Sequence, residues 1–514
     1  MTATSEAVPD AVPAVPSPMP RESLRTRLVK GSAYAFSATI LGQVFALTTS
    51  IVYARLLGRD NLGVLAIYAQ LASVFVAFAA LGLGTPITRF VARLRSQDPE
   101  KLSRFVSTVL TVTLAATAAV SIGLFLLADA IGQGVYASPE LVSMVRILAL
   151  FLALNSLSSV GIAILQGLQR IRWLSVVGIF LEALGIPVMF VFLTWFGLVG
   201  AALGGGALIV VASTLLFGSA WRDLGREGIH VRLGISRASV RDLATYALPL
   251  LASTMILKVA FLVQTSLLVV YLGYGDAGLF RVASTVSRIV AFVSGSISVP
   301  LLPAISELYA TASEDHSRSK VTTILRITAY AGVPAALGIG LFAGIVIGVF
   351  YGDEYAGAAH LAFVLVLAGF LDIIGVVAAN SLLGEGRTRT LLALDVLQVG
   401  VIIAGTALFV TSFGLLGAGY AALLNSVAYC SAILLVLGTS HRVELRRVAA
   451  ALLPAAGAFV LAILSILLGN AQANLWLAAV LVASSAVVSW ISMAPRERQL
   501  FRGVPGLLLR RGVS

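Results

Sequence analysis

The sequence Phe-Gly-Leu-Val-Gly-Ala stands at residues 196–201, and Phe-Gly-Leu-Leu-Gly-Ala stands at residues 413–418, which is 217 positions later. Other landmarks recur at this offset or two residues short of it, namely Gly167 with Gly384, Arg170 with Arg387, Pro86 with Pro303, and Leu57, Gly58 and Gly63 with Leu272, Gly273 and Gly278. A chain of two like halves in an apolar sequence is typical of secondary transporters, which bind their substrate between the halves.

The composition is that of an integral membrane protein. Of the 514 residues, 59% are hydrophobic and 11% are charged, whereas soluble proteins carry about 25% charged residues. Apolar stretches long enough to cross a bilayer predict an all-α polytopic protein with about fourteen transmembrane helices. The predicted spans are 31–54, 62–84, 104–128, 143–165, 173–196, 198–220, 244–270, 279–302, 323–350, 359–383, 390–412, 414–438, 449–469 and 473–494.

The distribution of basic residues predicts the orientation. Most of the 35 Lys and Arg residues fall in the terminal segments and in alternate loops, which indicates that both termini are cytoplasmic. Six spans precede the loop 221–243 and six follow it, so the halves are expected to be parallel repeats. The predicted organisation is a disordered cytoplasmic tail (1–30), an N-terminal lobe (31–220), a basic cytoplasmic linker (221–243), a C-terminal lobe (244–440), an extra helix pair (449–494) and a basic cytoplasmic tail (495–514). Within the linker, the amphipathic stretch 229–243 is expected to bind anionic lipid.

Several classes of function are not expected. The dipeptide Gly-Lys is absent, which excludes a P-loop, and no Gly-x-Ser-x-Gly or His-Glu-x-x-His motif occurs. The single Cys430 excludes an intramolecular disulfide, and the four scattered His residues predict no metal site. The net charge of +12 arises mainly in loops between spans, so nucleic acid is not an expected partner. We therefore expect a protein that is not an enzyme and needs no cofactor.

Three cations inside predicted spans suggest a binding site. Lys258 lies deep in the seventh span, and Arg281 and Arg288 lie on one face of the eighth, seven residues apart. Charged groups within the bilayer usually face the interior of the bundle, and Arg grips phosphate in bidentate fashion. The alternatives are that Arg281 extends to the lipid headgroups and that Lys258 pairs with a carboxylate. At the offset of 217 these positions correspond to Leu41, Val64 and Leu71, so the charge is confined to the second half.

Three carboxylates also fall within predicted spans, namely Glu182, Asp372 and Asp395. Asp372 corresponds to Asn155 at the offset of 217, and polar residues at matching positions suggest that both face a cavity. The functional interpretation is ion coupling, with a carboxylate that binds Na⁺ or H⁺. The alternative is charge pairing with Lys258 or Arg288, or a position near the membrane surface for Glu182 and Asp395.

Several segments resemble the polysaccharide-biosynthesis flippases of the multidrug/oligosaccharidyl-lipid/polysaccharide exporter superfamily, the group that contains the O-antigen flippases. The resemblance runs in order over residues 30–440 and rests on five segments: Ala54-Arg55-Leu56-Leu57-Gly58 with Gly63-Val64-Leu65-Ala66, Leu81-Gly82-Leu83-Gly84-Thr85-Pro86-Ile87-Thr88-Arg89-Phe90, Leu165-Gln166-Gly167-Leu168-Gln169-Arg170, Tyr246-Ala247-Leu248-Pro249 and Gly278-Leu279-Phe280.

The resemblance implies two parallel six-helix lobes in a V shape, alternating access, and a substrate that is a polyprenyl-linked oligosaccharide in the cytoplasmic membrane. It also implies a cationic central cavity, to which Lys258, Arg281, Arg288 and Arg55 are assigned, and it leaves room for polysaccharide assembly proteins as partners. One departure from the family pattern is notable. Many members carry an Asp in the seventh span, where this chain has Gln264 and Thr265.

Two other readings of the same sequence stay open. A multidrug or lipid II exporter of the same superfamily would share the fold, although a cationic drug would favour an acidic cavity. A membrane glycosyltransferase or polymerase would also have many spans, but it usually needs a large external loop with catalytic carboxylate or His groups, and the predicted loops are short.

Overall fold

The computed structural model describes residues 24–95, 98–229, 231, 234–290, 314–384, 387–440, 443–469, 475–495 and 497–498. This described part of the chain is helical and has no β-strand. Its helices are α1 (Leu24–Ala80), α2 (Gly84–Leu94), α3 (Pro99–Asp129), α4 (Pro139–Gly167), α5 (Ile171–Arg226), α6 (Arg237–Leu272), α7 (274–290), α8 (Glu314–Val346), α9 (Ala358–Gly384), α10 (Thr388–Thr439), α11 (Leu445–Gly469) and α12 (Leu475–Ser492).

The predicted all-α membrane architecture is confirmed, while the number of fourteen crossings stays a prediction. Within the described residues, nine helical stretches are long and apolar enough to cross a membrane, and three of them contain 51 to 56 residues. A crossing needs about 20 residues, so each of these three can hold two of the predicted spans. Of the predicted disordered tail 1–30, residues 1–23 lie outside the described residues. Residues 24–30 belong to α1.

The repeated Phe-Gly-Leu motif is the turn of a helical hairpin in both halves. Gly197 has φ 54° and ψ −138°, and Gly414 has φ 59° and ψ −137°, a region open essentially only to glycine. Three residues later, a Cβ atom placed on Gly200 or Gly417 would clash with a backbone carbonyl of the preceding arm. The first glycine therefore makes the turn, and the second lets the two arms pack closely.

The other repeated motif also has one backbone shape in both halves. Gly58 inside α1 has φ 72° and ψ 175°, and Gly273 between α6 and α7 has φ 86° and ψ 175°. This pair is separated by 215 positions, so 215 is the offset that relates α6 and α7 to the two arms of α1. At this offset the cations at 258, 281 and 288 correspond to Gln43, Ala66 and Ser73, which corrects the equivalence drawn at 217.

The two halves meet in a reciprocal contact. A Cβ atom placed on Gly63 would clash with the carbonyl oxygen of Tyr274, and one placed on Gly278 would clash with the carbonyl oxygen of Arg59. At the offset of 215, each of these contacts is the image of the other. A two-fold axis between like surfaces produces such reciprocity. The contact thus supports two halves related by a two-fold axis, and the lobe boundaries themselves stay predictions.

Helix α5 extends to Arg226 and α6 begins at Arg237, so helical residues occupy both ends of the predicted linker 221–243. The C-terminal helices α11 and α12 pack against α8 of the second half. The buried carboxylate of Glu497, just after α12, pairs with Arg326 of α8 at 3.1 Å. This ion pair attaches the C-terminal end of the described chain to the second half.

Candidate functional site

A central cavity of about 720 Å³ lies where the two halves meet. Its walls come from α1, α6, α7, α9 and α10, so both halves contribute. Gln43 and Gln70 of α1 both line it, although they would stand about 40 Å apart on a straight helix. The turn at Gly58 therefore brings both arms of α1 to the cavity. The volume lies in the range of ligand pockets in general.

The two predicted arginines of α7 line this cavity. Nη1 of Arg281 donates a hydrogen bond to the carbonyl oxygen of Leu65 on α1, at 3.1 Å. Arg288 lies two helical turns further along and has an exposed side chain. It makes no hydrogen bond or ion pair with any described residue. Of the two guanidinium groups, that of Arg288 is therefore the one whose donors are open to a ligand.

Lys258 stands at the margin of the cavity and is not one of the residues that line it. Its Nζ donates to Oγ of Ser73 at 2.5 Å, and Ser73 does line the cavity. This bond connects α6 of the second half to α1 of the first. At the offset of 215, Lys258 corresponds to Gln43 and Ser73 corresponds to Arg288. The equivalent bond would therefore join Arg288 to Gln43, and these two side chains are not bonded to one another.

Arg55 does not line the cavity. Its Nε and Nη2 each donate at 2.9 Å to the carbonyl oxygens of Phe350 and Val349, at the end of α8. Those carbonyls belong to a π-helical turn, Ile347–Tyr351, and an equivalent turn at Ala130–Val135 follows α3 at the offset of 217. Arg55 thus neutralises a helix C-terminus across the interface between the halves.

Of the predicted carboxylates, only Asp372 lines the cavity. Its side chain forms a hydrogen bond with Ser426 of α10, and no Lys or Arg among the described residues lies within ion-pair distance of it. Glu182, Asp395 and Asn155 are not among the lining residues. The sequence predicted that Asp372 and Asn155 both face the cavity, whereas in the structure only Asp372 lines it.

Sequence reasoning missed a set of glutamines. Gln43, Gln70, Gln264 and Gln398, here called the amide cluster, all line the cavity and come from α1, α6 and α10. The signal available in the sequence was their position, because an amide inside an apolar span is costly and should face the interior. Gln264 occupies the region where the family pattern often has an acid.

The cavity is closed at the end of the bundle that carries Gly58 and Gly273, here called the closed end. Arg59 pairs with Asp276 at 2.6 Å, and the backbone N–H of Arg59 donates to Glu354 at 3.0 Å. Arg59 belongs to the first half, and both acids belong to the second. These bonds join the halves on one side of the cavity.

Tyrosines add further bonds between the halves at the closed end. The hydroxyl of Tyr355 donates to the carbonyl oxygen of Ala54 at 3.0 Å, and Tyr136 bonds to Ser266 at 2.6 Å. Burial, with the neighbouring carboxylate of Glu354, raises the pKa of Tyr355. The hydroxyl of Tyr355 therefore stays protonated and remains a donor at physiological pH. In the described residues, no cluster of His, Cys, Asp and Glu has the makings of a metal site.

A helical membrane fold of two repeated halves around a shared cavity is the architecture of membrane transporters. A family model described as "Polysaccharide biosynthesis protein" matches residues 28–309. The chain belongs to this family.

Individual relatives share low sequence identity with this chain. The lipid III flippase of Escherichia coli (strain K12) is 22% identical over 412 residues, which cover 79% of this chain and 96% of that protein. A structure titled "Lipid II flippase MurJ, inward closed conformation" superposes with a TM-score of 0.70 at 16% identity, over 91% of this chain and 99% of that one. An inward-facing multidrug resistance MATE family transporter of the MOP superfamily gives a TM-score of 0.66 at 19% identity, over 80% of this chain and 95% of that one. These similarities establish the fold.

Proposed function

We propose that this protein is a flippase that moves a polyprenyl-(pyro)phosphate-linked oligosaccharide across the cytoplasmic membrane for the synthesis of a surface glycan. The observation that carries this proposal is a cavity between two repeated halves whose described lining residues include Arg281 and Arg288 but only one carboxylate, Asp372. A net cationic cavity suits an anionic lipid pyrophosphate, which Arg can bind with two parallel hydrogen bonds. The family match and the flippase relatives support the same assignment.

The proposed mechanism rests on the open donors of Arg288 and on the bonds between the halves at the closed end. The pyrophosphate is bound first by Arg288, whose donors are open, while the polyprenyl chain stays in the lipid. Transport then requires the closed end to open, so the bonds of Arg59, Glu354 and Tyr355 between the halves must break. Opposite closure at the other end completes an alternating-access cycle, which in repeat transporters is largely a rocking of one lobe against the other.

Asp372 supports an ion-coupling role. It lines the cavity, contacts Ser426 and lacks a basic partner in the described residues. The neighbouring Asn425 has a buried Oδ1 that accepts no hydrogen bond from them. A carboxylate beside free oxygen acceptors is a suitable environment for Na⁺ or for a transferable proton. Lys258 and Arg281 belong instead to bonds between the halves in this conformation.

The orientation and surroundings are also part of the proposal. With both termini cytoplasmic, the closed end faces outward, and the cavity is accessible from the cytoplasmic leaflet where lipid-linked glycans are made. The basic segment 221–243 lies against anionic lipid, and polysaccharide assembly proteins receive the product. The chain is a transporter and not an enzyme, as its flippase relatives support. A lipid II or multidrug exporter is the other candidate with this fold, and the cationic lining favours a pyrophosphate lipid over a cationic drug.

The test is the loss of one free guanidinium group. We expect Arg288→Ala to abolish glycan export while protein abundance stays near that of the wild type, because Arg288 forms no hydrogen bond or ion pair with the described residues. Export is measured by leaflet-specific labelling of the lipid-linked glycan in vesicles from a deletion strain that carries the variant.

Arg104→Ala is the matched control, because Arg104 forms an exposed ion pair with Glu100 far from the cavity lining. It should export normally. Normal export by the Arg288 variant would sink the flippase assignment, and drug resistance conferred by the wild type would favour the exporter.

A further inference from the structure

The chain contains ten glutamines, and four of them fall inside predicted spans. These four are Gln43, Gln70, Gln264 and Gln398, and every one of them lines the central cavity. They come from both arms of α1, from α6 and from α10, so the two halves contribute two each. Four helical segments, namely the two arms of α1, α6 and α10, place the same functional group in one cavity.

The amide cluster is not explained by packing. A polar side chain within a span is normally satisfied by another protein group. None of the four glutamine side chains forms a hydrogen bond with the residues that the structure describes. The side chain of Gln43 is exposed, whereas that of Gln264 is buried and only 6% exposed. Exposed and buried glutamines of the cluster thus both lack a hydrogen-bond partner among the described residues. Their donors and acceptors are therefore available to whatever occupies the cavity.

The depths of these amides match those of the arginines. With a rise of 1.5 Å per residue, Gln264 and Arg281 both lie about 12–14 Å from Gly273. Gln43 lies about 22 Å from Gly58, and Arg288 lies about 22 Å from Gly273. Because Gly58 and Gly273 are equivalent positions at the closed end, each arginine shares its level with an amide. A ligand with an anionic group at an arginine would bring its next groups against a glutamine.

The chemistry of the cluster selects a neutral polar ligand. Each primary amide offers two N–H donors and one acceptor oxygen, and it carries no charge. Sugar hydroxyl groups both donate and accept hydrogen bonds, and so does an N-acetyl group. We propose that Gln43, Gln70, Gln264 and Gln398 form a saccharide-binding subsite, which contacts uncharged sugars next to the pyrophosphate. This inference rests on the proposed function, because it assigns the glycan part of the same substrate.

The test uses two lipids that differ only in the sugar. Undecaprenyl pyrophosphate and undecaprenyl-pyrophosphoryl-N-acetylglucosamine are titrated into the purified full chain in nanodiscs, and Kd is measured for each. The double variant Gln264→Met/Gln398→Met removes two amides with little change in volume. We expect it to bind the sugar-bearing lipid about tenfold more weakly, as the loss of two hydrogen bonds predicts, and to bind the bare lipid like the wild type.

Two further variants complete the experiment. Gln133→Met is the matched control, because Gln133 is exposed outside the cavity lining, and it should bind both lipids normally. Gln43→Met is measured as well, since its side chain is exposed and its loss disturbs no packing even if the double variant fails to fold. Arg288→Ala should weaken both lipids alike.

The outcomes separate the two proposals. Selective loss of the sugar-bearing lipid supports the subsite. Equal affinity of the wild type for both lipids, or equal losses for both lipids in the glutamine variants, overturns the subsite and leaves the flippase assignment standing. Failure of the wild type to bind either lipid overturns the flippase assignment itself, and the subsite with it.

Discussion

Single residues in this cavity have different tasks although they share a charge. Arg281 and Lys258 each form a hydrogen bond to α1 of the other half, whereas Arg288 forms none with the described residues. The sequence predicted that all three belong to one site because charge inside a span is rare. It could not predict which cation is free, since that depends on the partners Leu65 and Ser73, which lie about two hundred positions away.

Arg55 illustrates the same point. Its place beside the repeated Leu57-Gly58 motif does not predict a partner 295 residues away, yet it bonds to the carbonyl of Phe350. The glutamines illustrate the converse, because an uncharged side chain draws less notice in an apolar sequence than an arginine does. Their convergence becomes visible only once the fold brings both arms of α1, α6 and α10 to one cavity.

At this scale we predict the effect of neutralising Asp372. Asp372→Asn keeps the volume and the contact with Ser426 but removes the negative charge. We expect glycan transport in proteoliposomes to lose its dependence on an imposed Na⁺ or H⁺ gradient, because the carboxylate is the proposed coupling group. The rate is measured with each gradient applied separately.

The control for this experiment is Glu182→Gln, which alters a carboxylate that does not line the cavity. This variant should respond to the gradient like the wild type. A response to the gradient that survives in the Asp372 variant would contradict the coupling role.

At the scale of elements, two glycines three residues apart specify each helical hairpin of α5 and α10. The predicted spans end at 196 and 412 and resume at 198 and 414, which is where the two turns lie, and few residues other than glycine tolerate this backbone. The exact extent of the helices could not be predicted, since basic segments such as the one before Arg226 continue the helix beyond the apolar span. The π-helical turns at Ala130–Val135 and Ile347–Tyr351 could not be predicted from the hydropathy pattern either.

We predict that Gly414→Ala destabilises the protein by roughly 1–3 kcal/mol, because alanine is strained at φ 59° and ψ −137°. The measurement is the Tm of the purified variant in detergent. Gly197→Ala should behave alike, since its backbone is nearly the same.

The matched control is Gly218→Ala on α5, where the backbone is helical and nothing lies within 4 Å of the added methyl group. Alanine is the better helix former there, so the Tm should stay or rise. Equal Tm values for the variants at 414 and 218 would refute the turn argument.

At the scale of the whole molecule, the structure is one conformation of the proposed alternating-access cycle, and bonds at the closed end hold the halves together in it. Two parallel halves were predictable from the repeated motifs and the basic loops. The conformation was not, because the closed end depends on side chains such as Arg59 and Asp276 that are 217 residues apart in the chain. The sequence does not show whether an ion pair between loop residues forms within one half or between the two halves.

We predict that fixing the closed end stops transport. In a Cys430→Ser background, which removes the only cysteine of the chain, Arg59→Cys/Asp276→Cys is treated with a short bifunctional thiol reagent. Cross-linking should abolish glycan export, because the halves can no longer separate there. Export before treatment gives the reference rate.

The control pair is Arg146→Cys/Asp129→Cys. These residues form an ion pair of the same length, 2.6 Å, but both belong to the first half. A cross-link there should leave export intact. Transport that continues with the Arg59 and Asp276 positions joined would mean that the closed end does not open in the cycle.

The reciprocal contact of Gly63 and Gly278 has a consequence for the ancestry of the chain. A surface that fits its own image is what a homodimer requires, so each half retains the geometry of a subunit that once paired with a copy of itself. A dimer of identical subunits must carry every side chain twice or not at all. Lys258, Arg281 and Arg288 correspond to Gln43, Ala66 and Ser73 at the offset of 215, a difference that a dimer of identical subunits could not have. Because the two halves have separate sequences, one half can supply cationic side chains to the cavity where the equivalent positions of the other half are uncharged.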